Sequence, residues 1–176
     1  YEHVLSDELC DAIVHIFEGP GSSEHYTGNV GTGRGGAQSF EVLPDVKLDT
    51  EIDLSHSSRA LWDGIEFSLL QALLGAFHMY AAANPGLNTP LQWRDEGFRL
   101  KRYAQKARGE PSQHHIWHSD GGNDEDSACR AVAVLFYLND VTKGGETVFS
   151  SPRPLEVVPR RGRLLLFPAT YGYYHT

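Results

Sequence analysis

The nine residues RAVAVLFYL, 130–138, constrain the fold more than any other stretch. The run is almost continuously apolar, β-branched or aromatic, and it has the length of one strand. With almost no polar alternation inside it, it reads as a strand covered on both faces. GFRLKRY (97–103), LEVV (155–158) and RLLLF (163–167) also read as strands. NDVTKGGETVF (139–149) turns on paired glycines into a further strand, and Pro159 and Gly162 separate the last two segments. Many short strands in series have to close on themselves or double up to hide their edges.

The first half of the chain has a different period. Ser6 caps a helix whose apolar face is Leu9, Ala12, Ile13, Ile16 and Phe17, and Gly19-Pro20-Gly21 stops it. Residues 19–39, rich in Gly, Ser and Thr, read as a loop. A second helix is predicted from about Arg59 to Ala83. Its stripe is Trp62, Ile65, Leu69, Leu73, Phe77 and Tyr80, and Asn84-Pro85-Gly86 ends it. Helices first and strands afterwards, without repeats, predict an α+β fold: N-terminal helices packed on a closed or double-layered β core such as a jelly roll.

Composition removes several classes. The 176 residues, 40% hydrophobic and 22% charged, suit a single domain spanning 1–176. A net charge of -8 disfavours nucleic acid as a main partner. Cys10 and Cys129 are far apart and form no disulfide framework or zinc pair, so a reducing, cytoplasmic setting is expected. No apolar run is read as a membrane span, so no membrane partner is expected. The GTGRGG stretch (31–36) follows no strand and is read as a loop, not a dinucleotide site. Asp124, Glu125 and Asp126 read as a solvated acidic loop.

HHIWHSD, 114–120, concentrates the chemistry. A non-haem Fe(II) site needs three protein ligands on one face and open positions on the other, and two histidines with one carboxylate supply them. His118 and Asp120, at i and i+2 of an extended segment, point the same way. The third ligand has to come from a distant strand, and His175 is the only histidine after His118. His114 and His115 lack a carboxylate two residues on, which makes them weaker ligands: one is expected to line the pocket and the other to face water. Alternation puts Trp117 opposite His118, in packing. Glu146 in GGET (144–147) reads as part of a tight turn, not as a catalytic acid.

An ordered set of motifs surrounds these residues: RY (102–103), His118-x-Asp120, Arg130, YLND (137–140), GGET.F (144–149), Gly162 with LLFP (165–168), and His175. With the opening LSDELCDAIVHIFE, the set resembles the prolyl-4-hydroxylase-like branch of the Fe(II)/2-oxoglutarate-dependent dioxygenases, best from residue 98 onward. The resemblance implies a double-stranded β-helix with iron held by His118, Asp120 and His175. It implies Fe(II), 2-oxoglutarate as cosubstrate, O2 and ascorbate, and hydroxylation of a substrate C–H bond coupled to decarboxylation of 2-oxoglutarate to succinate. Tyr103 and Tyr137 match family tyrosines that hydrogen-bond 2-oxoglutarate; the plainer reading of each is a core tyrosine. Arg130 matches an arginine at the site mouth, where it contacts substrate or braces the HxD loop, and His115 is a second substrate-contact candidate. The implied substrate is a peptide, with peptidyl proline the natural guess, or a small molecule. A non-catalytic jelly-roll module that retains a metal site is the reading from another class. Asp120 argues against halogenation, because halogenases of this type lose the carboxylate.

Three departures from the family pattern stand out. AQKARGEPSQ (104–113) looks like an inserted flap, and His115 replaces a usual aromatic. The basic residue that pairs with the far carboxylate of 2-oxoglutarate is expected beyond Thr176, along with the strand that carries it. Tyr1 at one end and YYHT at the other lead us to expect further chain on both sides.

Overall fold

The computed structural model describes residues 1–31, 40–57, 60–87, 93–105, 114, 116–122, 125–150 and 154–176. Helix α1 is Asp7–Glu18. The Ser6 hydroxyl accepts from the Leu9 amide at 3.2 Å, and Asp7 and Glu8 place negative charge in the first turn, where the helix dipole favours it. Its inner face buries Cys10, Ile13 and Phe17.

Four short strands follow: β1 (Tyr26–Thr27), β2 (Val30–Gly31), β3 (Phe40–Glu41) and β4 (Thr50–Asp53). They correct the expectation that helices precede all strands. At two to four residues each, they are too short to stand out as a period-2 pattern, and β4 is half acidic. Helix α2 (Asp63–Ala83) starts four residues later than expected and ends at Asn84 as read. Strand β5 is Arg99–Arg102. A short helix α3 (Glu125–Ala128) precedes β6 (Val132–Phe136), β7 (Thr147–Phe149), β8 (Leu155–Val157) and β9 (Leu164–Pro168). All pairings are antiparallel: β1-β4-β5, β2-β3, β6-β9 and β7-β8.

Helix α2 joins the two cores. Its first turns pack Trp62, Ile65 and Leu69 with Leu5, Cys10, Ile13, Phe17, Ile52, Leu54 and Leu100. Farther along, Ala76 packs on Leu164 and Leu166 of β9. By length and composition alone α2 could cross a bilayer, which corrects the reading that no run has that length. Strand β6 is only partly covered, less than predicted. Val132 and Phe136 pack against the second cluster, but Val134 between them is 36% exposed. The expected glycine turn is present, with φ of +80° at Gly144 and +74° at Gly145, a region other residues rarely adopt.

Candidate metal centre and its cleft

Strand β9 delivers the chain to a 3₁₀ turn at Tyr171–Tyr173, which returns His175 between two neighbours. On one side His175 and His118 form an antiparallel bridge; on the other, Thr176 and Val148 of β7 exchange hydrogen bonds of 2.8 and 2.9 Å. Phe167 and Phe149 pack on the His175 ring, with centroids 4.9 and 5.6 Å away, and leave His175 only 6% exposed. His118 lies on this isolated bridge and Asp120 at a bend, not on a regular strand as the i, i+2 reading assumed.

The three side chains converge. The His118 Nε2 lies 3.9 Å from Asp120 Oδ1, and the His175 Nε2 lies 3.7 Å from Asp120 Oδ2. One ligand atom from each falls within 4.8 Å of the others. The tautomers follow from the backbone. The Nδ1 of His118 faces the Ile116 carbonyl at 3.0 Å and that of His175 faces the Tyr173 carbonyl at 2.9 Å. A carbonyl can only accept, so each Nδ1 carries the proton and each Nε2 is left with a lone pair. Burial, reinforced by the neighbouring His175, lowers the His118 pKa and favours its neutral form. Two imidazole Nε2 atoms facing a carboxylate, with their Nδ1 atoms anchored on backbone carbonyls, are a donor set that fits a divalent cation.

The HxD segment is held from behind. The Arg130 Nη1 donates to the Asp120 carbonyl at 3.1 Å, while its Nε and Nη2 grip Glu96. Of the two readings of Arg130, the geometry matches the brace. A Cβ at Gly121 would sit 2.5 Å from the Ala169 carbonyl, so this close approach to the end of β9 requires glycine.

Aromatic rings line one side of the centre. His114 stacks on His118 at 4.5 Å, and Tyr103 stacks on His114 at 6.4 Å. Burial, and then the neighbouring His118, push the His114 pKa down to about 3, so it is a neutral ring beside the metal centre. Tyr103 is 46% exposed; crowding by neighbouring protein atoms, and then Asp49, raise its pKa. Tyr137 lies just past β6, half-buried, with its hydroxyl 2.7 Å from Thr147 Oγ1. Trp117 is not in core packing: it is 40% exposed and stacks on Tyr174, because its neighbour His118 takes the inward side. His115, Asp124, residues 32–39 of the glycine-rich loop and residues 106–113 of the proposed flap lie outside the described residues.

Sequence reasoning missed a charged sheet face beside the cleft. Lys47, Asp49, Glu51 and Asp53 alternate along β4 and the residues before it, opposite Arg99 and Lys101 of β5. Lys47, Asp49 and Glu51 are almost fully buried. Lys47 binds Glu51 directly and lies 3.6 Å from Asp49. The signal was present, with charges at every second position and Ile52 and Leu100 on the reverse face. A polarity rule places charges outside, and here they face inward.

Residues 98–176 match the 2OG-Fe(II) oxygenase superfamily. Two solved structures resemble the whole chain. One is a Pseudomonas putida prolyl-4-hydroxylase: TM-score 0.58, 20% identity, covering 99% of this chain and 80% of that one. The other is a prolyl hydroxylase in complex with a hypoxia inducible factor oxygen degradation domain peptide fragment from Trichoplax adhaerens: TM-score 0.59, 16% identity, covering 99% and 74%. At these identities the likeness establishes the fold. No curated protein matches the sequence. The superfamily implies a jelly roll, Fe(II), 2-oxoglutarate and O2.

Proposed function

We propose that the chain is an Fe(II)- and 2-oxoglutarate-dependent dioxygenase that hydroxylates a C–H bond, with peptidyl proline as the favoured substrate. The antiparallel ladders are, in this reading, parts of one double-stranded β-helix. The observation that carries it is the convergence of His118, Asp120 and His175, with both Nδ1 atoms tied to backbone carbonyls and both Nε2 lone pairs aimed at the carboxylate. Bound there, the metal supplies the oxidising chemistry by which 2-oxoglutarate, O2 and R–H become succinate, CO2 and R–OH.

The chain's own residues then divide the remaining work. Asp120 balances part of the cation's charge. Phe149 and Phe167 exclude water behind His175. Tyr137 shares a 2.7 Å hydrogen bond with Thr147 in which either hydroxyl can donate; when Thr147 donates, the phenol proton is free to turn toward a cosubstrate carboxylate. Tyr103 offers a second phenol on the cleft's His114 side. The peptide in the Trichoplax structure supports a peptide substrate here.

The test is incubation with Fe(II), ascorbate, 2-oxoglutarate and a proline-containing peptide, read by mass spectrometry. Succinate release with one oxygen gained on the peptide is the expected result. Succinate without an oxidised peptide keeps the reaction class and removes the prolyl substrate. Metal binding without any 2-oxoglutarate turnover favours the non-catalytic module.

A further inference from the structure

Helix α2 carries two apolar stripes, and the fold uses one of them. Ile65, Leu69, Leu73, Ala76 and Tyr80 face the two cores. Phe67, Leu70, Leu74 and Phe77 recur along the helix at alternating three- and four-residue steps, yet they enter neither core cluster. Phe67 is 64% exposed and Leu74 43%. Trp93 widens the stripe, with its ring edge-on to Phe77 at 5.2 Å. Large apolar side chains exposed in a row, rather than singly, mark a contact surface. The spacing is the one by which a helix meets another helix. Gly64 and Gly75 lie beside the stripe, and a Cβ at either would meet no atom within 4 Å, so a partner's backbone has room to come close.

The stripe begins at an open hollow of about 300 Å³. Phe67, Leu70 and Phe98 give it apolar walls, and Asp63, Glu66 and Asp95 bring three carboxylates to it. Glu66 receives the Ser55 hydroxyl at 3.2 Å, and Asp95 the Gly97 amide at 3.0 Å. Among the described residues none of the three acids is in an ion pair, and α2 has no Lys or Arg of its own. A Lys or Arg side chain suits such a hollow, because its methylenes can lie on the apolar walls while its charged head meets the carboxylates. A second copy of this chain would set the same acids against these, and an anionic lipid surface would set phosphates against them. Both are repelled, and a basic partner is selected.

We propose that the outer stripe of α2 docks a basic amphipathic helix of another protein. Its apolar side lies on Phe67, Leu70, Leu74 and Phe77, and a Lys or Arg at one end enters the hollow among Asp63, Glu66 and Asp95. The inference concerns a surface outside the metal centre and does not depend on the reaction proposed above.

The experiment is fluorescence anisotropy with two labelled helical peptides of about 18 residues, a length that matches most of α2. Both carry leucines at three- and four-residue spacing; one has three lysines at one end, the other three glutamates in their place. The lysine peptide should bind with a Kd below about 100 μM and the glutamate peptide at least about tenfold more weakly. Phe67→Ser and Leu74→Ser should each weaken the lysine peptide by about fivefold or more. The double variant Asp63→Asn, Glu66→Gln should bring the two peptides to within about twofold of each other. Thermal unfolding reports the folding of each variant, and the two serine variants are independent tests of the stripe. Equal binding of the two peptides by the parent protein, or a lysine peptide unaffected by both serine variants, overturns the proposal. Dimerisation in sedimentation equilibrium that Phe67→Ser abolishes makes a second copy the occupant and overturns it as well. So does binding to phosphatidylglycerol vesicles that Phe67→Ser abolishes, which makes the occupant a membrane.

Discussion

His118 and His175 exchange both backbone hydrogen bonds, N–H to carbonyl at 2.9 Å in each direction. The two histidines are thus a directly opposed antiparallel pair, and their rings meet with centroids 4.3 Å apart. The distance between the two imidazoles is set by backbone pairing, not by the metal. The site is preorganised, which reduces the ordering that metal binding requires.

Removing the carboxylate leaves that frame intact. Asp120→Ala should therefore fold with a melting temperature near the parent's while its Fe(II) or Zn(II) affinity falls by about 100-fold or more. Thermal unfolding measures the first effect and equilibrium dialysis with metal analysis the second, and succinate formation should be lost. Unchanged metal stoichiometry in Asp120→Ala at micromolar metal would remove Asp120 from the ligand set.

The brace gives a subtler outcome. Arg130→Ala frees the Asp120 carbonyl from its 3.1 Å hydrogen bond and leaves Glu96 without its partner. Metal affinity should drop by roughly tenfold, as for groups that orient ligands. The KM for a peptide substrate should stay close to the parent value. A large rise in peptide KM at constant metal affinity would instead make Arg130 a substrate contact.

The Tyr137–Thr147 pair predicts non-additivity. Tyr137→Phe should raise the 2-oxoglutarate requirement by about tenfold, since a hydrogen bond to a charged group is worth about 1.5–3 kcal/mol. Thr147→Val should produce part of the same effect by leaving the phenol unoriented, and the double variant should be little worse than Tyr137→Phe. Strictly additive losses would show that the two side chains act separately.

Asp49 predicts a pH dependence. Burial first, and then the negative Glu51, raise its pKa from 3.8 to about 6. The folded state therefore favours the protonated form, and the stability associated with it is lost as pH rises from the unfolded pKa through the folded one. Asp49→Asn removes that dependence. In urea unfolding, its stability relative to the parent should grow between about pH 4 and about pH 7. A constant difference across that range would mean that Asp49 does not titrate between the two states.

The sequence alone determined the parts whose reasons are local. Ser6 caps α1 because its hydroxyl reaches an amide three residues on. Gly144 and Gly145 mark a turn because only glycine accepts those angles easily. His118-x-Asp120 and a single later histidine named a candidate donor set before any coordinate did, since few side chains offer that chemistry. Tertiary structure decided the rest. Only the pairing of residue 175 with residue 118 and the nearby β7 brings the three donors together. Only the β4–β5 register turns Glu51, Asp53, Arg99 and Lys101 to one face and sets Glu51 against Lys101. The physical reason is range: caps and turns are satisfied within a few residues. A buried charge is tolerated only when distant partners arrive to meet it, and which partners arrive depends on how the whole sheet is registered.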